Sequence, residues 1–422
     1  MLIDRPFYTD RLTECIDDRA VKILTGARRS GKSCIMKLLA ERIKNEKNIG
    51  DDNIIFISFD YNGNEDLDSA QVYSDLCEMM VEGETNYIFL DEVQSITGWK
   101  NLIFRLHQKD NCRIVLSCSG FTPSSIETPS RLPFRHTVIH VFPLSYSEYK
   151  EFTSRTDDLH GYLRHGGFPS LYSYEMDQDE ELNAIKDISS SCIYLDLVKR
   201  HQIRKADQLD KVFNYFLKNT GVPSSAYSIS CSLKFGGKKP DNETVGGYIQ
   251  KLVDSSLVYS CPRFDMVNFE VMKTQEKYYP VDLALKKTVT YESESVKTEL
   301  ECAVFTELLR RGYSVYVGKY PDMEIKFIAK TKESTVYIQC SDQLTDKDIE
   351  ALNMVPDKSS KRFAITMNPD QTGTIDGIEV VSADQFLSGT ELVAKQSTLE
   401  TEMPAFDTAS DSSEEFIPVH LL

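Results

Sequence analysis

Val21-Lys22-Ile23-Leu24-Thr25, followed by Gly26-Ala27-Arg28-Arg29-Ser30-Gly31-Lys32-Ser33, is the stretch on which the reading of this chain turns. An apolar strand runs into a glycine-bounded loop. An amphipathic helix follows, with Ile35, Leu38, Leu39 and Ile43 at helical spacing. The loop has the Walker A pattern, G-x-x-x-x-G-K-[ST], at every defined position, in the strand-to-helix context that gives the pattern its meaning. Glycines let the backbone close around phosphate oxygens. The loop amides and the helix N-terminus supply positive potential. Lys32 is placed to reach the β- and γ-phosphates of ATP, and Ser33 offers a hydroxyl to Mg²⁺. Gly26, Ala27, Arg28, Arg29, Ser30 and Gly31 are the expected cradle.

Four more short apolar runs follow: Ile54 to Phe59, Tyr87 to Leu90, Arg113 to Ser117 and Val138 to Phe142. Nearly continuous apolar strands separated by helical patterns predict a parallel sheet covered on both faces, an α/β layered domain over residues 1–150. Tyr87-Ile88-Phe89-Leu90 ends in Asp91-Glu92. Two carboxylates at the end of a buried strand are costly unless they have partners or work. Asp91 is expected to hold Mg²⁺ through water, and Glu92 to polarise the attacking water. Ser119, past the fourth strand, would contact the γ-phosphate or that water; the plainer alternative is a turn serine. Arg135 would stabilise transition-state charge, in cis or across a subunit interface, or is a solvated arginine.

The 422 residues suggest two or three domains. From about Ser147 to Lys218 the pattern is helical, broken at Gly166-Gly167-Phe168-Pro169. Short helices are expected from Ser228 to Val258 and a second α/β pattern from Val296. The segment after Lys395 is polar, acidic and rich in Ser and Thr, and is expected to be disordered. The formal net charge is −17, and the chain outside that tail is acidic as well, which argues against coating a nucleic-acid backbone with the whole surface. No apolar run is long enough to cross a bilayer, and acids interrupt the start, so the cytoplasm is the expected compartment. The 10 cysteines are scattered without a C-x-x-C pair and read as free, mostly buried thiols. His136 and His140 fall in a strand-like run and do not converge on a metal; no structural metal is expected.

The chain resembles the prokaryotic AAA-type ATP-binding proteins that carry a second domain of unknown function after the P-loop domain. The resemblance rests on Thr25 to Ser33, on Phe89 to Gln94 followed by Trp99, on Phe142 to Ser145 and on His165-Gly166-Gly167-Phe168-Pro169. It continues through Tyr194-Leu195-Asp196-Leu197, Lys277 to Leu283 and Glu307 to Tyr313. It implies an AAA-like core, a helical region at 151–225, a winged-helix-like region at 226–290 and a restriction-nuclease-like α/β domain at 291–392, with an acidic tail at 393–422. It carries Lys32, Ser33, Asp91 and Glu92 over as nucleotide residues.

A nuclease of that kind needs an acid on a helix and an acid-x-Lys pair on adjoining strands to hold Mg²⁺. Glu301 fits the first. Lys326 stands where an aspartate is expected, and Gln339-Cys340-Ser341 offers neither acid nor lysine. The fold is therefore expected without cleavage chemistry, unless Asp322 or Glu324 rescues a metal site. Residues 196–251 hold ten basic residues against five acids. Thr244 to Leu252 would be a recognition-like helix there, for DNA or as plain structure, and no aromatic-interleaved basic patch argues for RNA. The expected function is an ATP-driven, Mg-dependent molecular switch with a protein partner and possible oligomers. Rival readings are a DNA-binding protein of a defence or mobile-element system and a nucleotide-binding scaffold with little turnover.

Overall fold

The computed structural model describes residues 4–60, 68–124, 132–153, 159–273, 275–290, 296–357 and 359–390. The chain forms two compact units. One is Met1–Pro143 with Asp254–Ser256, and the other is Leu144–Val253 with Leu257–Leu422. The expected tail, 393–422, lies outside the described residues.

The first unit is the expected parallel sheet. Its strands are β1 (Val21–Gly26), β2 (Ile54–Ser58), β3 (Asn86–Asp91), β4 (Cys112–Ser119) and β5 (His136–His140). They lie in the order β2-β3-β4-β1-β5, every neighbouring pair parallel. Its helices are α1 (Pro6–Cys15), α2 (Lys32–Lys47), α3 (Ser69–Met79) and α4 (Trp99–His107). β1 and β3 are buried along their whole length. Two apolar clusters sandwich the sheet. One joins Ile23, Ile88, Leu90 and Leu116 to Leu76, Leu102 and Ile103. The other joins Leu24, Phe89 and Val115 to Leu12, Ile35, Met36, Leu39 and Ile43. Burying each such side chain stabilises the fold by about 1.5–3 kcal/mol. The helix face at 35, 36, 39, 40 and 43 follows the 3.6-residue period. That helix stops at Asn48, left-handed at φ 51, with Lys44 and Lys47 in its last turn complementing the helix dipole.

The second unit opens with α5 (Tyr146–Thr153), α6 (Leu159–His165) and α7 (Gln178–Ser191), the last capped by an Asp177/Glu180 box and continuing into a π-helical run, Cys192–Lys199. Then come α8 (Ala206–Lys218), α9 (Ala226–Ser232) and α10 (Asn242–Asp254). The strands are β6 (Val258–Cys261), β7 (Arg263–Asp265), β8 (Glu270–Val271), β9 (Lys277–Pro280), β10 (Ser314–Lys319), β11 (Glu324–Lys330), β12 (Thr335–Ser341), β13 (Lys361–Thr366), β14 (Gly373–Ile375) and β15 (Ile378–Ser382). α11 (Val296–Arg310), α12 (Asp346–Asn353) and α13 (Ala383–Leu387) complete it. An eight-stranded sheet runs β14-β15-β13-β12-β11-β10-β7-β8, and β6 pairs with β9 alone. The segments expected as separate at 226–290 and 291–392 thus share a sheet, because β7 adds in parallel to β10.

Two of the motifs that carried the resemblance meet here. The Asp282 carboxylate accepts from the Gly167 amide at 2.7 Å and the Ala284 amide at 2.9 Å. A Cβ on Gly166, which sits at φ +77, would fall 2.0 Å from Asp282 Oδ1, and one on Gly167 would fall 2.4 Å from the Leu144 carbonyl oxygen. Only glycine fits both positions.

Candidate functional site

Gly26 ends β1 at φ +130, and a Cβ there would fall 2.3 Å from the Val141 carbonyl oxygen. Arg29 at φ 68 and Gly31 at φ 100 complete the left-handed turns of the loop. α2 begins at Lys32 with Gly31 as its N-cap and no side-chain cap, so its first amides face the loop. Lys32 is 3% exposed, and its ammonium donates to the Gly26 and Ala27 carbonyls at 3.3 and 2.8 Å. The Ser30 hydroxyl is buried without a hydrogen-bond partner. Ser33 is half-buried in the first turn of α2.

Both acids lie at the carboxyl end of β3, which β4 separates from β1, on the edge where parallel α/β sheets bind their ligands. Asp91 accepts from Ser117 Oγ at 2.5 Å and Ser58 Oγ at 3.1 Å. The Ser117 hydroxyl also accepts from the Glu92 amide at 2.9 Å, tying the two acidic residues together. Glu92 is left-handed at φ 56 and 5% exposed. A non-glycine residue in that region costs on the order of 1–3 kcal/mol, a conformation kept where surrounding contacts hold it. Those contacts are Ser119 Oγ to Oε1 at 2.5 Å, Gln94 Nε2 to Oε2 at 2.5 Å and the Arg28 guanidinium at 3.4 Å. Burial pushes the Glu92 carboxyl up. The charges of Lys32 and Arg28, with the hydrogen bonds from Ser119 and Gln94, outweigh it and hold the group below the usual carboxylate range. A carboxylate whose ionised form is favoured by these partners therefore stands beside the loop.

Residues 18–150 match an AAA domain family. The first unit is accordingly similar to AAA-type P-loop domains. Residues 156–295 match a domain of unknown function, DUF8612. An uncharacterized protein of Haemophilus influenzae is 29% identical over 391 residues, 90% of this chain and 97% of that relative. Another, from Methanocaldococcus jannaschii, is 24% identical over 327 residues, 73% of this chain and 71% of the relative. The chain is also similar to the solved Walker-type ATPase of Pyrococcus abyssi, with a TM-score of 0.49 and 14% identity across 68% of this chain and 95% of that one.

Within the first unit the structure brings Gly26 to Ser33, Asp91, Glu92 and Ser119 together; Ser119 stands in register with Gly26 across the β4–β1 pair. It does not bring Arg135 there. Arg135 directly precedes β5, and its carbonyl accepts from the Val21 amide at the amino end of β1. Val21 and Gly26 are five residues apart, so Arg135 lies about 16 Å of strand away from the loop. Its side chain is 75% exposed and pairs with Asp18 at 3.2 Å. The expectation of a cis contact from Arg135 is thus corrected. The arginine beside the catalytic candidate is Arg28, which also pairs with Asp60 at 2.6 Å. The sequence listed Arg28 only as loop backbone, because its pattern position accepts any residue. Arg5 was missed altogether. It is 1% exposed and donates to the Ser30 carbonyl at 2.9 Å and the Pro143 carbonyl at 3.3 Å, with its guanidinium over the Tyr8 ring. It braces the loop from beneath, and nothing in the local pattern at Arg5-Pro6 signals a contact 25 residues away.

A second buried polar group lies in the other unit. Glu301 on α11, Glu324 and Lys326 on β11 and Gln339 on β12 come together. The space between them is taken by cations. Lys277 pairs with Glu301 at 3.1 Å and Glu324 at 2.6 Å, and Lys326 pairs with the same two at 2.9 and 3.2 Å. Tyr279 Oη donates to Glu301 at 2.7 Å. Gln339 spends its amide on the β11 backbone, accepting from the Lys326 amide and donating to the Glu324 carbonyl. Both carboxylates are neutralised internally.

Proposed function

We propose that the AAA-type domain binds ATP with Mg²⁺ and hydrolyses it, and that the chain works as a nucleotide-driven switch. The observation that carries this reading is Glu92, a buried, ionised carboxylate held by Ser119, Gln94 and Arg28 next to Lys32. The loop fits a polyphosphate. Its Gly26 leaves no room for a side chain, its Ser30 hydroxyl is buried with no partner among the described residues, and Lys32 is a buried cation that donates to loop carbonyls a phosphate can replace. Ser33 and Asp91 are the residues that would hold Mg²⁺, Asp91 through water, and the ion would neutralise charge on the phosphate oxygens.

On this reading Lys32 turns from its loop carbonyls to the phosphates, and Arg28 is drawn the same way. Both moves remove positive charge from around Glu92 and raise its basicity when a water needs to be polarised. Ser119 reports on the same carboxylate from β4, so the chain following Ser119 is where a change of nucleotide state would first be felt. The test pairs binding with turnover. Lys32→Ala is expected to lose ATP affinity, measured by calorimetry, and Glu92→Gln to retain affinity while losing hydrolysis.

A further inference from the structure

An open cleft of about 420 Å³ lies between the start of α8, the turn at Phe235–Lys239 and the start of α10. Its size falls within the range of small-ligand sites, roughly 300–1,000 Å³. Arg204, Lys205 and Lys239 line it, together with Phe235, Tyr248 and Gln208. The turn is built by Gly236 at φ 55 and Gly237 at φ 81. Phe235 and Lys238 exchange backbone hydrogen bonds at 2.8 and 3.1 Å across it, a two-residue hairpin of the type that needs positive φ twice.

The charges in this cleft differ from those around it. Arg200 pairs with Asp196 and Lys211 with Asp207. Arg204, Lys205 and Lys239 are exposed and, among the described residues, have no carboxylate partner. Lys239 instead stands 3.2 Å from Cys231 Sγ and over the Tyr227 ring. The one acid in the lining, Asp241, is committed to the Thr244 amide and hydroxyl, both at 2.7 Å. Two half-buried rings, Phe235 and Tyr248, sit 6.4 Å apart at 62° among these cations. Free cations grouped around aromatic faces suit a ligand that is both anionic and planar.

We propose that this cleft binds single-stranded nucleic acid, an unpaired base against Phe235 and Tyr248 and flanking phosphates on Arg204, Lys205 and Lys239. A duplex fits the surface less well. α10 exposes Asn242, Glu243 and Gln250, and its one lysine, Lys251, donates back to the Gly247 carbonyl. The helix expected from sequence to be the reader therefore presents no cationic face to a groove. A duplex also hides the base faces that the two rings would contact. The aromatic component was not visible in sequence because Phe235 and Tyr248 are 13 positions apart and only the hairpin and helix bring them together.

The test uses the full chain and fluorescence anisotropy of a labelled oligothymidylate of about 16 nucleotides, titrated across a salt series. Three phosphate contacts predict a log–log salt slope of about −2. Replacing Arg204, Lys205 and Lys239 together by Gln is expected to weaken binding at least tenfold and flatten that slope. Phe235→Leu with Tyr248→Leu is expected to weaken it roughly fivefold or more with the slope unchanged. Unaltered ATP binding at Lys32 marks each variant as folded, so failure here is separable from failure of the ATPase reading. The proposal is overturned by absence of binding, by equal or tighter binding of a duplex of the same length, or by variants that bind as wild type. It is also overturned if AMP alone, added to Lys32→Ala protein, occupies the cleft as tightly as the oligonucleotide.

Discussion

At the scale of single residues, the site is an electrostatic balance around Glu92. Burial pushes its pKa up, and Lys32 and Arg28 pull it down again. A carboxylate whose folded pKa is depressed adds stability that is present above its unfolded pKa and lost as pH falls through the folded one. Arg28→Met removes one of the two charges that depress it. The Glu92 share of the acid limb in a urea-midpoint-versus-pH curve is therefore expected to be smaller in Arg28→Met and to level off at higher pH than in wild type. Superimposable acid limbs would show that Arg28 does not hold Glu92. Most of this site was legible. The Walker A pattern and the Asp91-Glu92 strand end pointed to the loop and both acids that the structure brings together, because such chemistry fixes residue type and spacing. Ser119 followed from counting strands. Arg28 and Arg5 were not legible as contacts, since each acts across a turn or a layer that no local period encodes.

At the scale of elements, the first four strands of the first sheet were readable as nearly continuous apolar runs, while β5 runs His136–His140 and not the expected Val138 to Phe142. β7 and β8 were not readable. They have three and two residues, and their place in the large sheet depends on β10, some fifty positions further along. The Gly166-Gly167 break was readable as a break but not as a socket for Asp282. Gly166→Ala would put a methyl on a residue at φ +77 and 2.0 Å from a buried carboxylate oxygen. Its unfolding free energy, from urea titration, is expected to drop by about 3 kcal/mol or more, whereas Gly377→Ala, at φ +79 with nothing near its Cβ, carries only the backbone strain. Equal losses in the two variants would remove the socket. The Glu301 and Glu324 carboxylates each pair with both Lys277 and Lys326, whose positive charges oppose a divalent ion there. Purified protein with Mg²⁺ or Mn²⁺ is expected not to cut linear or single-stranded DNA. Cleavage that vanishes in Glu324→Ala would contradict that.

At the scale of the whole molecule, the stretches that match an AAA domain family and DUF8612 follow one another along the chain, and no described helix is long and apolar enough to cross a membrane. The position of Arg135 bears on assembly. It sits at the amino ends of the strands, bound to Asp18. Arg135→Ala is therefore expected to leave ATP turnover per chain within about twofold across a dilution series, a change near 0.4 kcal/mol. Turnover that climbs with wild-type concentration and collapses in Arg135→Ala would place this residue in a neighbour's site instead.

The central claim is that Glu92 polarises the attacking water in an ATP site built on Lys32. The measurement that tests it most directly is steady-state ATP hydrolysis by wild type and Glu92→Gln, with ATP affinity of both determined by calorimetry. The account predicts near-equal affinities and a turnover lower by at least about 100-fold in Glu92→Gln. Equal turnover in the two proteins, or a wild type that does not bind ATP, would contradict it.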